Sequence, residues 1–199
     1  MWEMRIARLS KKTLEKIAKE TTKKLNAGKV IACPTDTVYG LIADATNKKA
    51  VKKVLLIKGR KETKPLPIFV KDISTAKKFA KVSPFQEKYM RKVWPGKVTL
   101  ILESRGLLVK ETGTQESIGL RIPKHKLVQL ILQKVKTPLT GTSANLSGRP
   151  PLSDSKDIAR QFAKRKYQPD ILVDAGKLLF SRPSKVIDIT REEPRILRK

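Results

Sequence analysis

The sequence predicts an α/β layer fold. Segments of helical and strand periodicity alternate along the chain, and capping or turn residues separate them. No regular repeat and no long low-complexity linker interrupts the series, so one domain over residues 1–199 is expected. The elements follow in order. Leu14, Ile17, Ala18, Thr21 and Leu25 recur at helical spacing, and Gly28 is a natural stop. "VIAC" reads as a buried strand. "NKKAVKKVLLIKGR" reads as a helix with Ala50, Val51, Val54 and Leu55 inward. "PLPIFV" is a short strand, and Asp72 can cap "DISTAKKFA". "SPFQEKYMRKVW" carries a capping box, with Ser83 as N-cap, Pro84 at the first helical position and Gln86 three after the cap. Pro95-Gly96 ends it. "VTLIL" and "IGLRI" are β-branched strands. "HKLVQLILQKV" is a helix with Leu127, Val128, Ile131, Leu132 and Val135 on one face. "TPLTGT" reads as a strand and "DSKDIARQFAKR" as a helix. "DILVD", "KVIDIT" and "RILR" close the chain as short strands. "SGRPPLSDS" is the most flexible candidate.

Lys+Arg is 45 and Asp+Glu 18, a net charge of +27. Ion-pair networks of the thermophile kind need acidic residues in similar number, so pairing does not absorb this excess. It favours a polyanion: nucleic acid, nucleotide or anionic surface. One cysteine, Cys33, excludes an internal disulfide and reads as a buried thiol. One histidine, His125, precedes a helix and reads as a surface or capping residue. The N-terminal "MWEMRIARLSKK" has no long apolar run, and no segment reaches transmembrane length. A cytoplasmic protein with no membrane partner is expected.

Neither GxxxxGK[ST] nor GxGxxG is present, so a nucleotide would be held in another way. Four polar stretches stand out. "CPTDTVYGL" leaves an apolar run through two threonines, an aspartate and a tyrosine. An ordinary strand-to-helix loop with Thr35 or Asp36 as a cap accounts for any one of these residues, but not for their density. Lys58 and Arg60 sit at a helix end, where cations complement the dipole. They also have the form of a phosphate clamp, with Lys61 and Lys64 adding to the field. Arg121 lies inside the apolar "SIGLRIP", where it either snorkels outward or meets an anion. "TGTSANLSG" is a turn that saturates its own backbone, or a row of donors facing a ligand at the carboxyl end of a strand.

The order PTDTVYGL, KGR…PL, WPGKVTL, GLRIP, TSANLSG resembles the YrdC/TsaC family, the threonylcarbamoyl-AMP synthases, over roughly residues 13–198. The resemblance implies the single-domain YrdC-like fold, a twisted mixed β-sheet flanked by helices with a concave basic cleft. It implies a nucleotidyltransferase that joins L-threonine, bicarbonate or CO2 and ATP into threonylcarbamoyl-AMP and pyrophosphate. Mg2+ would arrive with the ATP. Partner proteins would use the adenylate to modify the adenosine beside the anticodon of tRNA. Carried over, the resemblance assigns Thr35, Arg121 and Ser184 to threonine. It assigns Lys58, Arg60, Ser117, Ser143, Asn145 and Arg198 to ATP. The chain departs from the family pattern at Lys61, Phe69, Lys185 and Arg149-Pro150-Pro151. Two other functions stay open: a non-catalytic module that binds double-stranded RNA or tRNA, and a paralogue that makes a different adenylate.

Overall fold

The structure, a computed structural model, describes residues 4–60, 65–113 and 116–199. In chain order the elements are β1 (Arg5–Arg8), α1 (Leu14–Asn26), β2 (Ile31–Pro34), β3 (Tyr39–Ile42), α2 (Lys48–Lys58), β4 (Ile68–Phe69), α3 (Ile73–Phe79), α4 (Pro84–Val93), β5 (Val98–Glu103), a 3-10 turn (Lys110–Thr112), β6 (Ser117–Arg121), α5 (Lys126–Lys134), β7 (Leu139–Thr140), β8 (Thr142–Ser143), α6 (Ser155–Phe162), β9 (Ile171–Asp174), β10 (Lys185–Asp188) and β11 (Arg195–Arg198). The helix ends follow the local chemistry. Asp72 accepts from the Thr75 amide, and Ser83 and Gln86 complete the capping box of α4. Gly59 ends α2 in the left-handed region, φ +58°, so Arg60 turns away from the helix axis just after Lys58.

The α/β class holds, with the strands divided between two mixed sheets. One has the order β1-β9-β2-β3-β8, the other β11-β10-β5-β6-β4-β7. The sequence shows "TPLTGT" as one strand, but the chain changes sheet within it. β7 pairs with β4 in the second sheet, and β8 pairs with β3 in the first. The crossing point is Gly141. A Cβ there would lie 2.3 Å from the buried ring of Phe69. Gly141→Ala is therefore expected to cost about 1–3 kcal/mol through overpacking, read as a lower urea midpoint. An unchanged midpoint would mean that the ring yields without cost.

Two strands were not legible locally. β1, "RIAR", is largely exposed and is ordered by parallel pairing with β9, Ile6 opposite Leu172. β3 follows β2 as the second arm of a hairpin, with Pro34 opposite Tyr39. The 33–41 stretch is thus a hairpin and not a strand-to-helix loop.

The first sheet is packed on both faces. α2 and α6 bury Val51, Val54, Ile158 and Phe162 against Leu41 and Leu172. α1 and α5 bury Leu25, Leu127 and Ile131 against Ile31, Cys33 and Val173 on the other side. Burial raises the Cys33 thiol to about 12, which keeps it a neutral, inert packing group. In the second sheet α3 and α4 cover one face, over Leu100, Leu102, Ile118 and Leu120, while on the other face only the β4–β7 end, Phe69 and Leu139, is packed, against α5. Strand alternation turns Thr99, Ile101, Gly119 and Arg121 to the opposite face. That face is the floor of a cavity.

Candidate active site

The cavity measures about 360 Å3, within the range of about 300–1,000 Å3 usual for ligand pockets. Its floor is the β5–β6 part of the second sheet's other face, with Thr99, Gly119 and Arg121. Its walls come from the β2–β3 hairpin (Thr37, Val38), from Arg60, Pro65, Leu66 and Pro67, and from Gly141 to Ser143. Ser184 and Arg198 close it from the C-terminal strands.

The hairpin loop is held by its own threonines. Thr35 donates its hydroxyl to the Val38 carbonyl (2.7 Å) and accepts from the Thr37 amide (3.1 Å). Its hydroxyl is thus spent inside the loop, and Thr37 is the member that lines the cavity. Asp36 points across to β6. Its Oδ1 accepts from Arg121 Nη2 at 2.7 Å, and its Oδ2 accepts from the Lys124 amide at 3.0 Å. Arg121 Nε donates to the Gly96 carbonyl at 2.9 Å, so the WPG turn also orients it. The Asp36–Arg121 pair is almost wholly buried, with side-chain exposures of 7% and 4%. The partner of Arg121 within the folded chain is therefore Asp36, which the sequence suggested only as a loop cap.

Lys58 does not extend into the open part of the cavity. Its Nζ donates to the Ser143 carbonyl (2.6 Å), the Asn145 carbonyl (2.9 Å) and Asn145 Oδ1 (3.2 Å). Ser143 Oγ donates to the same Asn145 Oδ1 at 2.5 Å, and the Ser147 amide donates back to the Lys58 carbonyl. One buried ammonium thus organises the whole SAN loop. Desolvation first, and then the nearby Arg60 charge, push the Lys58 pKa from 10.5 down to about 7. The folded chain binds fewer protons here than the unfolded chain does between these two values. This group's contribution to stability therefore rises with pH from about 7 to 10.5 and is least favourable below 7. The stability of wild type relative to Lys58→Met is expected to climb from pH 7 to 9 in urea titrations. A flat difference would contradict the depressed value.

Arg60 Nη2 donates to the Pro65 carbonyl at 2.9 Å. Its Nε is buried and has no hydrogen-bond partner among the described residues. Such a donor is costly to leave unmade and points to an anion as its missing partner. Ser184 Oγ lies 2.9 Å from Thr99 Oγ1, and Arg198 Nη2 and Nε donate to the Ser184 carbonyl (2.7 and 2.9 Å). Burial lowers the pKa of Arg60, Arg121 and Arg198, and the Arg198 charge adds to the effect on Arg121. Three guanidiniums therefore share one low-dielectric space.

Ser117 begins β6 on the same face as Gly119 and Arg121, at the far end of the strand from Arg121. Lys61 and Lys64 lie outside the described residues. His125 is the N-cap residue of α5 by backbone only; its side chain makes no capping bond. The ring is half-buried rather than on the surface, and its Nδ1 has no partner among the described residues. Burial lowers its pKa, against a weaker upward pull from Asp36. Thr37, Asp36 and Thr99 were missed. The one local signal for Thr99 is a hydroxyl at an alternating position of an apolar strand.

The Sua5/YciO/YrdC family model, described as Telomere recombination, matches residues 23–199. The chain is 34% identical over 186 residues to a putative threonylcarbamoyl-AMP synthase of Methanocaldococcus jannaschii, covering 94% of this chain and 86% of that relative. It is 34% identical over 177 residues to the threonylcarbamoyl-AMP synthase of Bacillus subtilis, covering 87% of this chain. It spans only 50% of that relative. Among solved structures, Sua5 of Pyrococcus abyssi complexed with L-threonine superposes with a TM-score of 0.87 at 28% identity, over 98% of this chain and 56% of that one.

Proposed function

The chain belongs to the Sua5/YciO/YrdC family, and on that premise we propose that it is an L-threonylcarbamoyladenylate synthase. The amine of L-threonine condenses with bicarbonate to a carbamate, releasing water. A carbamate oxygen then attacks the α-phosphorus of ATP, the bond to the β-phosphate oxygen breaks, and pyrophosphate leaves. The observation that carries the reading is the convergence of Arg60, Arg121, Ser143, Ser184 and Arg198, from five separated segments, on one cavity. Arg60 Nε, with no partner among the described residues, adds an anion-seeking donor there. Phosphoryl transfer of this kind needs positioning and positive charge more than a dedicated acid–base pair.

In this proposal Arg60 and Arg198 meet the ATP phosphates. Lys58 acts from behind, holding the Ser143–Asn145 loop and adding its charge. Thr37 and Arg121 face threonine, whose carboxylate competes with Asp36 for the guanidinium. Thr35 shapes the loop that presents them. Mg2+ enters with ATP, on phosphate oxygens and water. Among the described residues no group of three or more His, Cys, Asp or Glu is arranged to hold a metal. The adenylate is passed to proteins that modify tRNA. A module that only binds RNA would not require these buried guanidiniums to converge.

The test is pyrophosphate release with ATP, Mg2+, L-threonine and bicarbonate. Release is expected to need both threonine and bicarbonate. Serine lacks only a methyl, so discrimination against it should be about 1–3 kcal/mol. Equal release with no amino acid would refute the synthase. ATP phosphates near Lys58 should raise its pKa from about 7, so ATP affinity is expected to fall as pH rises above that value. Calorimetry at pH 8 in buffers of different ionisation enthalpy should then show net proton uptake.

A further inference from the structure

A second cavity, of about 600 Å3, lies apart from the first and shares no lining residue with it. It is bounded by α2, the end of α1 and the turn before β9. Lys49, Lys52, Lys53 and Leu56 are spaced i, i+3, i+4 and i+7, which puts them on one face of α2. Lys24 and Lys166 face them from the other walls. Seven cations and one carboxylate line the space.

That carboxylate, Asp170, is fully engaged. It accepts from Lys53 Nζ (2.7 Å) and the Val30 amide (2.8 Å), and Lys29 Nζ lies 3.9 Å away. Arg5 pairs with Glu20. Lys24, Lys49, Lys52 and Lys166 have no carboxylate partner among the described residues. The floor is apolar, with Leu56, Pro169 and Ile171, and Tyr167 stands exposed at its side. Lys166 Nζ sits 5.6 Å from the Tyr167 ring centroid.

We infer that this cavity is a second nucleotide site, which takes a nucleoside polyphosphate with its base on the apolar floor beside Tyr167 and its phosphates among the lysines. The shape decides the ligand. A duplex backbone needs cations strung along its phosphate repeat over a convex or grooved face. Here the cations ring a bounded, apolar-floored concavity. An aromatic side chain next to a cationic rim suits a stacked base with a phosphate tail. The synthase reaction leaves these lysines unused, so the site does not depend on that reading.

Equilibrium dialysis of the 199-residue chain against labelled ATP tests it. Wild type is expected to bind two ATP per chain. Lys49→Glu/Lys52→Glu should weaken one of the two by about tenfold or more, from the loss and reversal of two charge-assisted contacts. Both positions are exposed, and pyrophosphate release should stay at the wild-type rate. Arg60→Ala should weaken the other ATP and leave this one intact. Lys24→Glu/Lys166→Glu provides a second variant if the first is poorly folded. Tyr167→Ala should remove the preference of this site for ATP over inorganic tripolyphosphate. One ATP per chain in wild type, lost in Arg60→Ala and kept in Lys49→Glu/Lys52→Glu, would overturn the proposal. So would unchanged binding by both charge-reversal pairs, or binding here of a single-stranded oligonucleotide but not of ATP.

Discussion

Lys58→Met is expected to weaken ATP binding by about a hundredfold or more, on the order of 3 kcal/mol, with a smaller loss of stability. The two effects separate because they have different origins. The substitution removes three hydrogen bonds that fix the Ser143 and Asn145 carbonyls and the Asn145 side chain. Those acceptors are left in a mostly buried loop, which costs stability. Against this, burial already disfavours the ammonium, as its fall to about 7 shows, and removing it relieves that penalty. The terms partly cancel for folding. They do not cancel for ATP, which loses both a positive charge and an ordered loop. Calorimetric titration with ATP and urea unfolding on the same variant measure the two. ATP affinity within about threefold of wild type would show that the loop keeps its shape without the ammonium.

Arg121→Ala is expected to destabilise the protein by about 3–5 kcal/mol, the larger folding effect of the two. It leaves the Asp36 side chain buried without its counter-ion, and frees the Gly96 carbonyl. The double variant Asp36→Ala/Arg121→Ala should be less destabilised than the two single losses predict, because it removes both charges together. Arg121→Lys should keep most of the stability, since an ammonium can still meet Asp36. It cannot reproduce the planar fork that reaches Asp36, Gly96 and Thr37 at once. Threonine use should therefore weaken by about tenfold to a hundredfold while ATP binding holds. Additive single and double variants would exclude a coupled pair. Loss of ATP binding with intact threonine affinity in Arg121→Lys would reverse the assignments of Arg121 and Arg60.

What the sequence determined by itself is local. Caps, helical periodicity and β-branched runs act over a few residues, so the six α-helices among the described residues and the strands built from apolar runs could be read in one dimension. The capping box at Ser83 and the glycine stop at Gly28 are of this kind. The alternation of "VTLIL" and "IGLRI" already contained the division between a packed face and a cavity face. Only the tertiary structure decided three further things. It made "RIAR" a strand, because its order comes from pairing with β9, more than 160 positions away. It split "TPLTGT" between two sheets, because the Phe69 ring occupies the space that a side chain at Gly141 would need. It chose the partners of the two buried cations: Asp36, 85 positions from Arg121, and the Ser143–Asn145 loop, 85 to 87 positions from Lys58. A sequence shows that a charge in an apolar strand needs a counterpart. Which one answers depends on how two sheets are brought face to face, and that is settled by long-range packing rather than by any local preference.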